Sequence, residues 1–180
     1  YDNALDEATS LVLHALHLPP DLGPAYGAAR VLEEEKAHIL GLFQRRISER
    51  VPAAYLNGEA WFAGLNFISD ARALVPRSPI AELILNGFEP WLAGREVTRA
   101  LDLCTGSGCI AILAAHAFPE ALVDAVDISP DALAVARRNV ADYALESRLD
   151  LIESDAFTGL AGRRYDVIIS NPPYVNAESM

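Results

Sequence analysis

The sequence predicts an α/β fold: a parallel sheet with helices on both faces, preceded by a small helical domain and a β-hairpin. Three observations predict it. From Val97 on, short apolar runs alternate with helical patterns, the rhythm of a parallel sheet wound with helices. A glycine turn, Thr105-Gly106-Ser107-Gly108, joins the first of those runs to the first of those helices. Before Pro52 the apolar spacing is helical throughout.

In chain order, Ala4, Ala8, Leu11, Val12, Ala15 and Leu16 form one face of a helix over 3–18, ended by Pro19-Pro20. A second helix is expected over 28–49, with Val31, Leu32, Ile39, Leu40, Phe43 and Ile47 as its stripe and Glu33-Glu34-Glu35 on a solvated face. Residues 60–69 alternate around Gly64 and predict a hairpin. Pro79 suits the first turn of a helix running to about Leu92. Strands are expected near 97–103, 122–127, 148–153 and 165–170, with helices near 108–118 and 130–143. The expected division is therefore 1–57 helical, 58–75 hairpin linker and 76–180 the α/β domain.

The 180 residues carry 14 basic and 25 acidic side chains, a net charge of −11. The excess is shared, −5 over 1–96 and −6 over 97–180, so neither half is a basic module. Stable nucleic-acid binding is disfavoured, and a basic protein partner suits the surface better. Cys104 and Cys109 match neither zinc nor disulfide spacing, so a reducing, cytoplasmic setting and no metal are expected. His14 and His17 lack a third ligand nearby. No apolar run reaches the ~18 residues of a membrane span. The chain opens on Tyr1 and its one methionine is Met180, so both ends are expected to be cut from a longer protein.

The glycine turn is the first chemical signal. Gly106 and Gly108 permit a sharp turn and close approach to a ligand, and Asp127 ends the next run 21 residues after Gly106, where it can accept from ribose hydroxyls. Gly106-x-Gly108-x-x-Ala111 alone also fits a dinucleotide fingerprint. Asp102 separates the two readings. A carboxylate beneath the turn repels a pyrophosphate and favours a ligand carrying an ammonium and a sulfonium, which is S-adenosylmethionine. Thr105 and Ile128 join this side, and Asp155-Ala156-Phe157, after the third run, offers an acceptor for an adenine amino group and an apolar wall. A turn or helix-capping role is the plain alternative for Asp155.

Asn171-Pro172-Pro173-Tyr174 follows the fourth run. Two prolines stiffen the loop while leaving carbonyls available. The Asn171 side-chain oxygen and a prolyl carbonyl can grip a planar –NH2 group, orient its nitrogen and stabilise the charge that develops on it, with Tyr174 stacking on the plane.

Asp102–Gly108 with Asn171–Tyr174 resembles the class I, Rossmann-like S-adenosylmethionine-dependent methyltransferases that modify planar amino groups. Arg50-Val51-Pro52-Ala53-Ala54-Tyr55-Leu56, Phe62-x-Gly64-x-x-Phe67 and Leu74-Val75-Pro76-Arg77-Ser78-Pro79-Ile80-Ala81-Glu82 resemble the HemK-like protein-glutamine methyltransferases. The string from Arg77 to Glu82 is closest to the branch acting on a large-subunit ribosomal protein (PrmB-type). The resemblance implies a helical N-terminal domain and hairpin before the catalytic domain, and a glutamine gripped by Asn171, Pro172, Pro173 and Tyr174. Arg77 and Glu82 are expected to hold the glutamine end or support the loop, or else to pair as a structural salt bridge. It also implies seven catalytic strands, where about four are legible here, so the sheet is expected to be C-terminally incomplete and this piece alone a poor catalyst. Four rivals stay open: glutamine methylation of peptide chain release factors, exocyclic-amine methylation of adenine in DNA or RNA, a nicotinamide dehydrogenase, and a non-enzymatic binding module.

Overall fold

The computed structural model describes residues 3–22 and 26–173. The chain forms two compact units, Tyr1–Glu59 and Ala60–Met180.

In the first unit, α1 (Ala4–Ala15) begins where the Asn3 side chain accepts the Asp6 amide at 2.9 Å, satisfying one of the orphan donors of a helix start. The second helix, α2 (Glu33–Ser48), starts five residues later than its expected start at 28. Its buried residues are Ile39 and Leu42, with Phe43 half-buried, whereas Leu40 and Ile47 of the expected stripe are exposed. Arg46 lies on the half-buried side and pairs with Glu7 at 3.0 Å. A short α3 (Ala53–Asn57) is capped by Gly58 in the left-handed conformation.

The hairpin follows, β1 (Glu59–Phe62) and β2 (Leu65–Ile68), turned at Ala63-Gly64, and all of it but Glu59 belongs to the second unit. Next, α4 (Ile80–Leu85) stops well short of Leu92. Gly87 and Phe88 both have positive φ, and their amides bond back to the Ile84 and Leu83 carbonyls, a Schellman ending that the expected longer helix overlooked.

The remaining elements are β3 (Arg99–Leu103), α5 (Cys109–Ala117), β4 (Leu122–Asp127), α6 (Pro130–Asp142), β5 (Leu149–Glu153), a 3₁₀ turn at Thr158–Leu160, and β6 (Val167–Ser170). The four strands are parallel, in the order β5-β4-β3-β6. The main core lies on one sheet face, where Ala100, Val123, Ala125 and Ile169 meet the apolar surface of α5. Leu101, Leu103, Val126 and Leu160 fill the other face.

The strand order places the site. The chain winds from β3 through β4 to β5, then returns to pair β6 on the other side of β3. Such a reversal opens a crevice at the carboxyl ends of the two strands. Leu103 is in register with Ser170, so the glycine turn and Asn171-Pro172 leave the sheet side by side. The Ser170 hydroxyl donates to the Leu103 carbonyl at 3.1 Å and ties the two strand ends together.

Candidate active site

The turn after β3 is pinned from below and from the side. Thr105 Oγ1 donates to Asp102 Oδ2 at 2.6 Å, and the Gly106 amide donates to Asp127 Oδ2 at 2.8 Å. The Thr105 amide bonds to the Val126 carbonyl, and Asp127 Oδ1 takes the Ser129 amide at 3.0 Å. Asp127 therefore shapes the loop as well as standing at its rim. Ser129 in turn caps α6, accepting the Ala132 amide at 3.2 Å ahead of Pro130.

The two glycines do different work. A Cβ at Gly106 would meet nothing within 4 Å, so open space lies beside that residue. At Gly108, with φ +81°, a Cβ would stand 3.2 Å from the Ala136 Cβ. Gly108 lets α5 start in a left-handed residue and lets α6 approach closely. Gly108→Ala is expected to lower stability by about 1–3 kcal/mol through backbone strain and crowding, read from a denaturant melt of the full-length protein. An unchanged midpoint would remove this account of Gly108.

Asp102 is buried in β3, and its Oδ1 has no hydrogen-bond partner. Burial pushes its carboxyl up to about 7, opposed by the Thr105 hydroxyl and the Ala111 amide, with a smaller upward push from Asp127. An orphaned carboxylate oxygen under a glycine turn calls for a cationic or N–H partner. S-adenosylmethionine, with its ammonium and sulfonium, fits this donor set, and a pyrophosphate does not.

The other expected cofactor residues sit on successive loops of the same edge. Ile128, after β4, and Phe157, after β5, are both exposed apolar side chains. Asp155 is exposed, and its carbonyl takes the Thr158 amide at 3.0 Å. The neighbouring cap is supplied by Ser154, whose hydroxyl accepts the Gly159 amide at 2.8 Å. Ala156 has a positive φ.

On the acceptor side, Asn171 is half-buried and its Nδ2 donates to the Arg77 carbonyl at 3.3 Å. That bond fixes which end of the amide is which, with Oδ1 directed away from Arg77. Arg77 thus meets the loop through its backbone, where a side-chain role was expected. Glu82 is exposed in the first turn of α4, and among the described residues no ion pair joins it to Arg77. Pro172 and Pro173 are exposed, and Tyr174 lies outside the described residues.

Asn139 was not anticipated. It is 1% exposed in α6, and its Nδ2 donates to the Ser107 carbonyl in the middle of the glycine turn at 2.9 Å. The available signal was a polar residue on the apolar stripe of a helix, one turn after Val135 and beside Val140. His14 lies 3.3 Å from Glu59 in the first unit, and among the described residues no cluster of three metal-ligating side chains occurs. No described helix is long and apolar enough to cross a membrane.

A parallel sheet in this order, with a glycine turn between the first strand and helix and an acid ending the second strand, is the class I, Rossmann-like methyltransferase fold. The chain belongs to the methyltransferase small domain family, whose model matches residues 81–180. It is 72% identical, over 97% of its length, to a protein named ribosomal protein uL3 glutamine methyltransferase from Xanthomonas campestris, covering 56% of that protein. It is 59% identical, over 99% of its length, to one of the same name from Bordetella pertussis, covering 60% of it. A solved S-adenosylmethionine-dependent methyltransferase from Agrobacterium tumefaciens is 28% identical with a TM-score of 0.51, over 64% of this chain and 39% of that one. The chain spans a little over half the length of the curated relatives it matches. These relatives bear out the HemK-like resemblance read from the motifs.

Proposed function

We propose that the full-length protein transfers a methyl group from S-adenosylmethionine to the side-chain amide nitrogen of a glutamine in ribosomal protein uL3. The observation that carries the chemistry is the register of Leu103 with Ser170, which sets the glycine turn beside an Asn171 amide held by the Arg77 carbonyl. The relatives' shared name supplies the target.

When bound, S-adenosylmethionine supplies an electrophilic methyl group. Asp102 Oδ1 would take its ammonium and Asp127 its ribose hydroxyls, while Thr105, Gly106 and Gly108 shape the cradle. Ile128 and Phe157 would cover the adenine, with Asp155 and the Ala156 backbone at its edge. Asn171 Oδ1 and the Pro172 carbonyl would accept the two N–H groups of the glutamine amide and turn its nitrogen toward the methyl. Pro173 stiffens that loop, and Tyr174 would stack on the amide plane. Both acceptors stabilise positive charge as it grows on nitrogen, so no ionisable base is needed before attack. The acquired charge is lost afterwards as a proton to water. Arg77 serves through its carbonyl, and Glu82, exposed in the first turn of α4, would meet the glutamine end of the substrate.

The partner is a basic ribosomal protein, met in the cytoplasm without stable contact to nucleic acid or membrane. The −11 charge supports this, since it attracts a basic chain and repels phosphate. Incubating the full-length protein and labelled S-adenosylmethionine with uL3, a release factor and adenine-containing duplex DNA or RNA tests the reading. Label is expected on a uL3 glutamine, located by mass spectrometry. Label on the release factor or on adenine, with uL3 unmodified, would overturn the target.

A further inference from the structure

The three hydrogen bonds of Asn139 reach in two directions. Its Oδ1 accepts the Ile68 amide at 2.7 Å, and its Nδ2 donates to the Ile68 carbonyl at 3.2 Å and to the Ser107 carbonyl at 2.9 Å. A buried primary amide must satisfy its groups, and this one does so by clasping the end of β2 to the glycine turn. The peptide between Ser107 and Gly108 is consequently held at both ends. Its carbonyl is on Asn139, and its N–H is on the Thr105 carbonyl at 2.9 Å. Because that peptide is planar, neither end can turn without the other.

The chain leaving Ile68 then runs to the other half of the site. Ala73 is buried with Ala132 and Val135 of α6, and Ile68 packs against that cluster. Nine residues after Ile68, the Arg77 carbonyl receives Asn171 Nδ2. One strap, residues 68–77, is therefore bonded at one end to the residue that holds the cofactor turn and at the other to the acceptor loop.

We infer that Asn139 is a positioning residue that couples the glycine turn, through the strap 68–77, to Asn171. The inference rests on the proposed cofactor reading of the glycine turn. A ligand that orders Ser107 orders Asn139, and with it Ile68, so cofactor binding steadies the segment on which the Asn171 amide is anchored. Coupling of this kind is reciprocal: loosening the strap weakens the cofactor.

The test uses the full-length protein with S-adenosylhomocysteine as probe. Its binding is expected to slow amide exchange at Ile68 by roughly tenfold, within the usual span of coupling effects. Asn139→Asp keeps the acceptor for the Ile68 amide but loses both donors. In this variant the slowing is expected to vanish and the Kd for S-adenosylhomocysteine to rise about tenfold. A merely structural asparagine would change the melting temperature without removing the ligand-dependent change at Ile68. The exchange measurement on the unsubstituted protein needs no variant to fold. If S-adenosylhomocysteine binds there and Ile68 exchanges at the same rate, the coupling is overturned. If the unsubstituted protein does not bind S-adenosylhomocysteine at all, the cofactor reading itself is overturned.

Discussion

Replacing Asn171 with alanine is expected to lower kcat by about 10²–10³, the loss typical of deleting one preorganised polar group aimed at developing charge. The glutamine amide is a weak nucleophile because its lone pair is delocalised into the carbonyl. As the nitrogen attacks, that delocalisation is lost and its N–H groups become stronger donors. In the proposed grip their bonds to Asn171 Oδ1 and the Pro172 carbonyl would tighten toward the transition state, and only interactions that tighten in this way raise the rate of the chemical step. The Arg77 carbonyl sharpens the effect by holding Asn171 Nδ2 at 3.3 Å, so the acceptor end is already turned before substrate arrives. Removing the side chain leaves that carbonyl at a partly exposed position, where solvent can replace the lost donor, and the cost in stability should be small. Affinity for S-adenosylhomocysteine should change little, because the gripping atoms serve the acceptor. Steady-state kinetics and calorimetry on the full-length protein separate the two effects. Near-normal kcat in Asn171→Ala would remove the proposed grip.

Much of this site is legible because parallel strands leave an unusually plain record. The run Leu122–Asp127 was located to the residue, and Asp102, Gly106, Gly108 and Asp127 occupy the strand ends and turn that their spacing implied. What escaped was whatever depends on a partner far along the chain. In α2 the periodic pattern admitted a stripe through Leu40 and Ile47, yet the face that packs is centred on Ile39 and Leu42, with Arg46 on the half-buried side paired to Glu7 of α1. In α4 the apolar pattern overran Asn86-Gly87, where left-handed backbone and returning amides end the helix. Arg77 was weighed by its guanidinium, but its backbone carbonyl meets Asn171, and a carbonyl is common to every residue. Asn139 was visible as a breach of the apolar stripe. Its partners, Ile68 and Ser107, lie 71 and 32 residues earlier, and no local pattern could name them.

The affinity for S-adenosylhomocysteine is expected to rise with pH, by about tenfold per unit below pH 7, and to level off above it. The cause is Asp102, buried with one unpartnered oxygen and a carboxyl pushed up to about 7 by burial. In the unliganded fold at pH 6 this group is largely protonated, and a neutral acid offers little to an ammonium. Binding a cation beside Oδ1 lowers its pKa and expels the proton, so the proton competes with the ligand throughout that window. Asp102→Asn abolishes the competition: binding becomes weak at every pH and flat across the same range. Stability runs the other way. A carboxyl whose folded pKa is raised from 3.8 to about 7 contributes no penalty well below pH 3.8, where both states are protonated. The penalty grows as pH rises, because the unfolded chain sheds the proton while the fold retains it, and is complete above 7. Asp102→Asn should therefore stabilise the unliganded protein more at pH 8 than at pH 5, while crippling the site. Titrations of the full-length protein across pH 5.5–7.5 in buffers of different ionisation enthalpy would show proton release on binding. A pH-independent affinity over that window, or a variant less stable than the parent at pH 8, would mean that Asp102 is not the group awaiting the cation.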